Sequence, residues 1–401
     1  MKKIVFMLIG LLLVVGTVSA QKRNVSRAKL KFTAEPQDLQ GAKAAILPAL
    51  EDSTTNRLAN TWFLAGDILT NIYFKTTNRD NGEMLSSTAF TAFNAFLKAD
   101  SLDQLPDKKG RIKPKLRAKV LENVKKYKTT FIESGMFFVK KKNNQKALEY
   151  LEFHLTLQDI PLLKNAGFDK DTLRNTIMYY CGVLSDGLKD TVKSIKYFEE
   201  VKDLKVKDMD NNFIYKKLAV LYAEEKDTVN LIRILKEGAL KFTAETNFAL
   251  SLVDIYVNKN AMGEASKWID AAINNDKENA LLWNIKAVII EKDSLDLAIQ
   301  YYKKAIELKS DYDEPYGKIG RIYYNNALDE RNRINAIKDN KKYRAELPKL
   351  KEKFKVALPY YEKAYELNSN KRDYMIALRG IYYHLENEKL YKEMDERLKD
   401  M

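Results

Sequence analysis

The sequence predicts an all-α protein whose helices form hairpins that stack into a solenoid. Glycine and proline, the two residues that most disfavour helices, number only 15 and 8 among 401 residues. Apolar and small residues also recur along the chain at a period of about 34 residues, which is typical of solenoids built from pairs of helices. Together, the composition and the period favour a repeat array over separate globular domains.

The period is clearest in the second half of the chain. Repeat units begin at Asn212, Thr246, Ala280 and Asp313, so successive starts lie 34, 34 and 33 residues apart. Counted from each start, positions 4, 7, 11 and 24 favour large residues, and positions 8, 20 and 27 favour small ones. Small side chains at positions 8 and 20 would let the two helices of a hairpin approach closely, while the large residues fill the space around that contact.

This pattern resembles the tetratricopeptide-repeat (TPR) family, whose unit is a helix-turn-helix of about 34 residues. The match runs from about Asp38 to Met401 and is strongest between Asn212 and Leu308. The resemblance implies a right-handed TPR superhelix, an α-solenoid of about seven helix hairpins with an N-terminal flanking helix and a C-terminal capping hairpin.

The resemblance and the composition together predict six segments. They are a signal peptide (1–20), an N-terminal flanking helix with the first TPR (21–105), a linker and helix (106–127), the main TPR array (128–327), a polar insertion within a repeat (328–353), and a C-terminal TPR helix with the capping hairpin (354–401). The insertion has almost no apolar stripe. We expect it to be a lengthened helical hairpin, and a disordered loop is the alternative.

The first twenty residues have the three parts of a secretory signal peptide. Lys2 and Lys3 precede an apolar stretch, and Val18-Ser19-Ala20 supplies small residues before Gln21. The apolar stretch is shorter than the roughly 20 residues that span a bilayer. We therefore expect cleavage near Gln21, a periplasmic or secreted protein, and no stable membrane insertion after cleavage.

Residues that commonly carry catalysis do not form a recognisable constellation. His154 falls at a core position of its repeat, His384 has no Cys, Asp or second His at ligand spacing, and Cys181 occupies a buried apolar position. The chain contains no phosphate-binding glycine loop and no nucleophile elbow. We expect no enzymatic activity, no cofactor and no metal.

Basic residues exceed acidic ones, 69 to 55, and the excess is concentrated in residues 108–128 and 331–355. Basic clusters can bind nucleic acid. An exported chain seldom meets nucleic acid, so we interpret the clusters as solvated helix faces and expect no nucleic-acid partner.

The TPR resemblance implies a function in protein binding. In this family the first helix of each hairpin lines a concave groove, to which positions 2, 5, 9 and 12 contribute. The candidate groove residues are Tyr179, Val183, Lys216, Val220, Asp254, Asn284, Val288, Arg321 and Tyr324. The family's clamp for carboxylate tails is missing, because Lys216 at position 5 is followed by Val220, not Asn, at position 9. We expect a non-catalytic scaffold that binds a protein or peptide segment. The 23 tyrosines leave open the alternative of a glycan-binding or envelope-assembly accessory module.

Overall fold

The structure, a computed structural model, describes residues 22–77, 81–107, 109–164, 172–204 and 209–400. The predicted signal peptide lies outside these residues. All regular secondary structure in the described ranges is helical, as the sequence predicted. The chain forms two compact units, one ending at Ile214 and the other running from Tyr215 to Met401. The boundary falls inside one helix, and each unit is described by itself.

The first unit contains nine helices before the one that crosses the boundary. They are α1 (22–33), α2 (Leu39–Glu51), α3 (Ala59–Lys75), α4 (Gly82–Asp103), α5 (Arg117–Lys125), α6 (Thr130–Lys140), α7 (Asn144–Thr156), α8 (Arg174–Gly187) and α9 (Thr191–Val201), with a short 3₁₀ turn at Leu157–Asp159. Each hairpin packs on its neighbours in sequence. An aromatic cluster, in which the Phe93 and Phe131 rings lie 5.2 Å apart, fills the core between α4 and α6.

Helix α10 (Asn211–Glu224) crosses the boundary, and the second unit continues through nine more helices. They are α11 (Thr228–Lys241), α12 (Asn247–Asn258), α13 (Met262–Asn275), α14 (Ala280–Ile290), α15 (Leu295–Leu308), α16 (Asp313–Asn335), α17 (Asn340–Leu367), α18 (Arg372–His384) and α19 (Glu388–Lys399). The first helices of the four clearest repeats start within one residue of the predicted starts.

A recurring turn joins the two helices of a hairpin. Its first residue has a positive φ, and the next is an Asn or Asp whose side chain accepts a hydrogen bond from the helical N–H three residues on. The pairs are Lys142-Asn143, Lys189-Asp190, Lys226-Asp227 and Glu386-Asn387. The side chain caps a helix start whose N–H groups have no intrahelical partner. These turns fix where α7, α9, α11 and α19 begin.

The predicted close contact between positions 8 and 20 is present in the structure. In hairpin α8–α9, the Ser194 hydroxyl donates to the Gly182 carbonyl at 3.0 Å. In hairpin α14–α15, Ala287 and Ala298 are both fully buried in one cluster. Small side chains at these positions therefore do what the repeat pattern predicted.

The polar insertion is helical. Helices α16 and α17 contain 23 and 28 residues, whereas α10 to α15 contain 11 to 14. The expectation that the insertion has almost no apolar stripe is wrong. Ile334 is fully buried and Leu350 is 6% exposed, and both belong to the cluster that packs α16 and α17 against α18. The extra residues thus lengthen one hairpin and enlarge its core.

Candidate protein-binding surface

In the second unit, contacts link the first helices of some neighbouring repeats, as a groove requires. Val253 of α12 packs in one cluster with Leu282 of α14. Arg321 of α16 forms an ion pair with Glu291, which directly follows α14. Helix α16 is thus linked to the end of α14 before it, and it also contacts the next first helix, α18.

Three predicted residues lie on α10 and α12. Lys216 is partly exposed and forms an ion pair with Glu245. Val220 is 50% exposed, and Asp254 is exposed to solvent. This part of the surface thus offers an apolar side chain flanked by one paired cation and one solvated carboxylate.

Helix α14 carries two predicted residues in contrasting environments. Val288 is 43% exposed, whereas Asn284 is only 3% exposed. The placement of Asn284 on an accessible surface is wrong. Its Nδ2 donates to the Tyr312 hydroxyl at 3.0 Å, because the loop before α16 folds over the amide. Burial and the nearby Glu314 carboxylate raise the pKa of Tyr312 to about 12, so this hydroxyl stays protonated at neutral pH.

The two predicted residues of α16 are both engaged within the fold. The Glu291 carboxylate that pairs with Arg321 also accepts from the Tyr302 hydroxyl at 2.9 Å. Tyr324 is half-buried, with its ring 5.7 Å from that of Phe354. Its hydroxyl lies against Gly380 of α18, where any larger side chain would clash with it. We had expected Tyr324 to be an accessible groove residue, and the structure shows it packed between helices.

Tyr179 and Val183 lie on α8 in the first unit. Tyr179 is half-buried, with its ring centroid 6.4 Å from that of Phe213. Val183 is 36% exposed. That these two residues and the seven in the second unit bind a partner remains a prediction.

Several exposed apolar residues were missing from the predicted set, and two of them are aliphatic residues at groove positions. Leu281 of α14 is 46% exposed and Ile376 of α18 is 40% exposed. The same position rule would have found both, since Leu281 occupies position 2 of its repeat and Ile376 occupies position 5 if the last unit starts at Arg372. We call the set Val220, Leu281, Val288 and Ile376 the first-helix surface.

The paired tyrosines mostly pack inside the fold, which weakens the glycan alternative. Within Tyr301-Tyr302, Tyr323-Tyr324, Tyr360-Tyr361 and Tyr382-Tyr383, the side chain of Tyr383 is 66% exposed and the other seven are buried or half-buried. A glycan platform would need exposed rings on several consecutive repeats.

The residues with the most reactive side chains are buried or stacked. Cys181 is fully buried, and burial raises the pKa of its thiol to about 12, so it is protonated at neutral pH. His154 is buried, and His384 stacks on Phe354 with the ring centroids 4.3 Å apart. Among the described residues, no group of three or more His, Cys, Asp or Glu side chains is arranged to hold a metal ion. In the same part of the chain, no helix has both the length and the apolar character needed to cross a membrane.

These observations define the class of fold. Helix hairpins repeat every 33 to 36 residues from α10 to α16, positions 8 and 20 meet inside hairpin α8–α9, and α16 contacts the next first helix, α18. The chain has a tetratricopeptide-repeat fold.

A scan against protein-family models finds no match, and no curated protein matches the chain. Solved TPR structures match it in part. MamA is 19% identical over 51% of this chain and 97% of its own, with a TM-score of 0.35. YrrB, described as a TPR protein with an unusual peptide-binding site, is 16% identical over 49% of this chain and 94% of its own, with a TM-score of 0.32. The C-terminal part of a TPR repeat-containing protein from Cytophaga hutchinsonii is 14% identical over 66% of this chain and 93% of its own, with a TM-score of 0.42.

Proposed function

We propose that the chain is a non-catalytic scaffold that binds a protein or peptide segment along its first-helix surface. One observation carries the proposal. Val220, Leu281 and Val288 are apolar, 43 to 50% exposed, and placed on the same helix of their repeats. They occupy position 2 or 9 of their repeats, which lie on one face of a helix, and apolar side chains left in water on such a face can be removed from solvent by a partner.

The surroundings of these residues support a protein ligand. Polar groups around the apolar row, such as Asp254 and the partly exposed Lys216, would form the polar rim that protein interfaces carry around an apolar centre. The ion pair of Arg321 with Glu291 holds the guanidinium in place. We therefore assign Arg321 to the rim of the surface, and not to its centre.

Site-specific crosslinking in the native cells would test the proposal. A photoreactive amino acid would replace Val288, and the matched control would carry it at Val229 of α11, a second-helix valine that is 80% exposed. We expect a discrete crosslinked protein from position 288 and none from position 229. Equal products from both positions, or products from 229 alone, would contradict the assignment of the surface.

We also propose that the protein is exported and acts in the periplasm or outside the cell. The proposal rests on residues 1–20, where two lysines, an apolar stretch and small residues follow one another. N-terminal sequencing of the native protein from fractionated cells would test it. We expect a start near Gln21 in the soluble envelope fraction. A chain that begins at Met1 in the membrane pellet would overturn the proposal.

A further inference from the structure

An open cavity of about 760 Å³ lies between the lengthened hairpin and the C-terminal end of α18. Arg331 lines it from α16, Arg344 and Lys351 line it from α17, and His384 and Glu386 line it from the end of α18 and the turn after it. This cavity is lined by none of the residues of the first-helix surface. Its volume falls within the range of about 300–1,000 Å³ typical of ligand pockets.

The charges that line the cavity do not balance. Lys351 pairs with Glu386 at 2.8 Å, which neutralises both groups. Arg331 and Arg344 form no ion pair among the described residues. The one carboxylate of the lining, Glu386, is thus paired with Lys351, and the charges of Arg331 and Arg344 have no carboxylate of their own among the described residues.

Arg331 is the more constrained of the two arginines. It is half-buried, and its Nε is fully buried with no hydrogen-bond partner in the part of the chain that the structure describes. Its Nη1 lies 3.5 Å from His384 Nε2, and its Nη2 lies 3.4 Å from Asn332 Oδ1. Both distances exceed the usual 2.7–3.2 Å of a hydrogen bond. Removing a cationic donor from water without giving it an acceptor costs free energy.

The C-terminal end of α18 does not explain why Arg331 is placed beside it. Cations can stabilise the C-terminal end of a helix such as α18. The carbonyls of Ile381, Tyr382 and Tyr383, however, already accept from the backbone N–H groups of residues 385, 387 and 386. The turn caps its own helix, so Arg331 is not needed there.

His384 completes one wall of the cavity. Its ring stacks on Phe354, with 11° between the two planes, and its Nε2 faces Arg331. Burial, followed by the charge of Arg331, lowers the pKa of His384. The neutral imidazole adds no further positive charge but can hydrogen-bond to a ligand.

We propose that this cavity binds a carboxylate from an acidic segment of a protein partner, with Arg331 and Arg344 as its anchors. Guanidinium groups bind carboxylates through paired, charge-assisted hydrogen bonds. The cavity is much larger than one ion, and the rings of Tyr343 and Tyr383 also line it, so it has room for the residues that flank the carboxylate. The site is independent of the first-helix surface, and either can fail without the other.

Calorimetric titration of the full mature chain would test the proposal, with an acetylated, amidated peptide of six glutamates as the probe. A hexaglutamine peptide and inorganic phosphate are the competing ligands. The variants are Arg331→Gln and Arg344→Gln. The matched control is Arg333→Gln, an arginine of the same hairpin that already pairs with Glu330 and Glu346.

We expect hexaglutamate to bind and hexaglutamine not to bind. Each cavity variant should weaken binding at least about tenfold, as expected when a charged hydrogen bond is lost, and Arg333→Gln should change it less than about twofold. Arg344 is exposed, so its replacement leaves the fold intact even if that of Arg331 does not. Equal affinities for all three variants, or equal binding of hexaglutamine, would overturn the proposal. If phosphate displaces the peptide at equal concentration, the cavity is a site for a small anion, and the proposal of an acidic protein segment is overturned.

Nuclear magnetic resonance of the imidazoles gives an independent readout, because the chain has only two histidines. A bound carboxylate would offset the charge of Arg331 and stabilise the protonated imidazole, so the pKa of His384 should rise on addition of hexaglutamate. His154, outside the cavity, should not respond. A titration curve of His384 that is the same with and without the peptide would contradict binding at this site.

Discussion

Hairpins α14–α15 and α16–α17 follow one another in the second unit. Each packs its two helices closely at small residues, but the helices of the second hairpin are longer. Both bring their helices together at small residues, which are Ala287 and Ala298 in the first and Gly320, packed against the Tyr361 ring, in the second. The second pair then continues for more than two further turns and buries Ile334, Leu350 and Phe354. A repeat can therefore be lengthened beyond the contact that the two hairpins share without disturbing that contact, and the extension can have chemistry of its own.

The largest effect should come from the core of the extension. Phe354 is fully buried and stacks with His384. Phe354→Ala should lower the free energy of unfolding by about 3–5 kcal/mol, as large-to-small changes in a core do. Val356 on the same helix is 48% exposed, and Val356→Ala should cost well under 1 kcal/mol by comparison. Urea denaturation measures both. Equal costs would show that the extension is not packed as described.

The shared part of the two hairpins should be the next most sensitive. A Cβ added to Gly320 would lie 2.9 Å from the Tyr361 ring, so Gly320→Leu should destabilise the protein by about 1–3 kcal/mol through overpacking. Gly263 of α13 has no heavy atom within 4 Å of the same added atom. Gly263→Leu should be neutral or slightly stabilising, because leucine favours helices more than glycine does. Thermal melts that shift equally for both variants would contradict the close contact.

A smaller effect is expected at the hairpin turns. The Asp227 side chain accepts from the N–H of Asn230 and caps α11. Asp227→Ala should cost about 1 kcal/mol, the usual loss when an N-cap is removed. Asp254→Ala serves as the control, since that carboxylate is exposed in the middle of α12 and caps nothing. A cost for Asp254→Ala equal to that of Asp227→Ala would remove capping as the explanation.

Local sequence signals accounted for most of the helices. The repeat period predicted the first residues of the first helices α10, α12, α14 and α16 to within one residue. It could do so because the spacing of small residues reflects contacts made inside one repeat. The helical insertion was harder to predict. Its polar residues favour a helix and a solvated loop almost equally, and the burial of Ile334 and Leu350 depends on contacts with α17 and α18.

The candidate site was harder to predict from the sequence, because the exposure of its residues also depends on contacts between repeats. The position rule identified Val220 and Val288 as exposed, because it depends only on helix geometry. It could not show that Tyr312, 28 residues away, covers Asn284. It also could not show that Tyr324 packs against Gly380 of the next first helix. Contacts between repeats decide which polar and aromatic side chains remain available to a partner.

The most direct test of the scaffold function compares the first-helix surface with the exposed faces of second helices in one binding experiment. The ligand is the protein that crosslinks to position 288. The test variant carries Val220→Glu and Val288→Glu. Its matched control carries Val229→Glu and Leu295→Glu, two apolar residues that are 80% and 51% exposed on second helices. A third variant shortens the lengthened hairpin to the length of its neighbours.

Dissociation constants at physiological salt decide the outcome. We predict that the Val220→Glu, Val288→Glu variant loses at least about 2 kcal/mol of binding free energy, the magnitude of a hot spot, while the control binds as the native chain does. Normal binding by the first-helix variant, together with no binding by the shortened chain, would contradict the account and make the lengthened hairpin the recognition element.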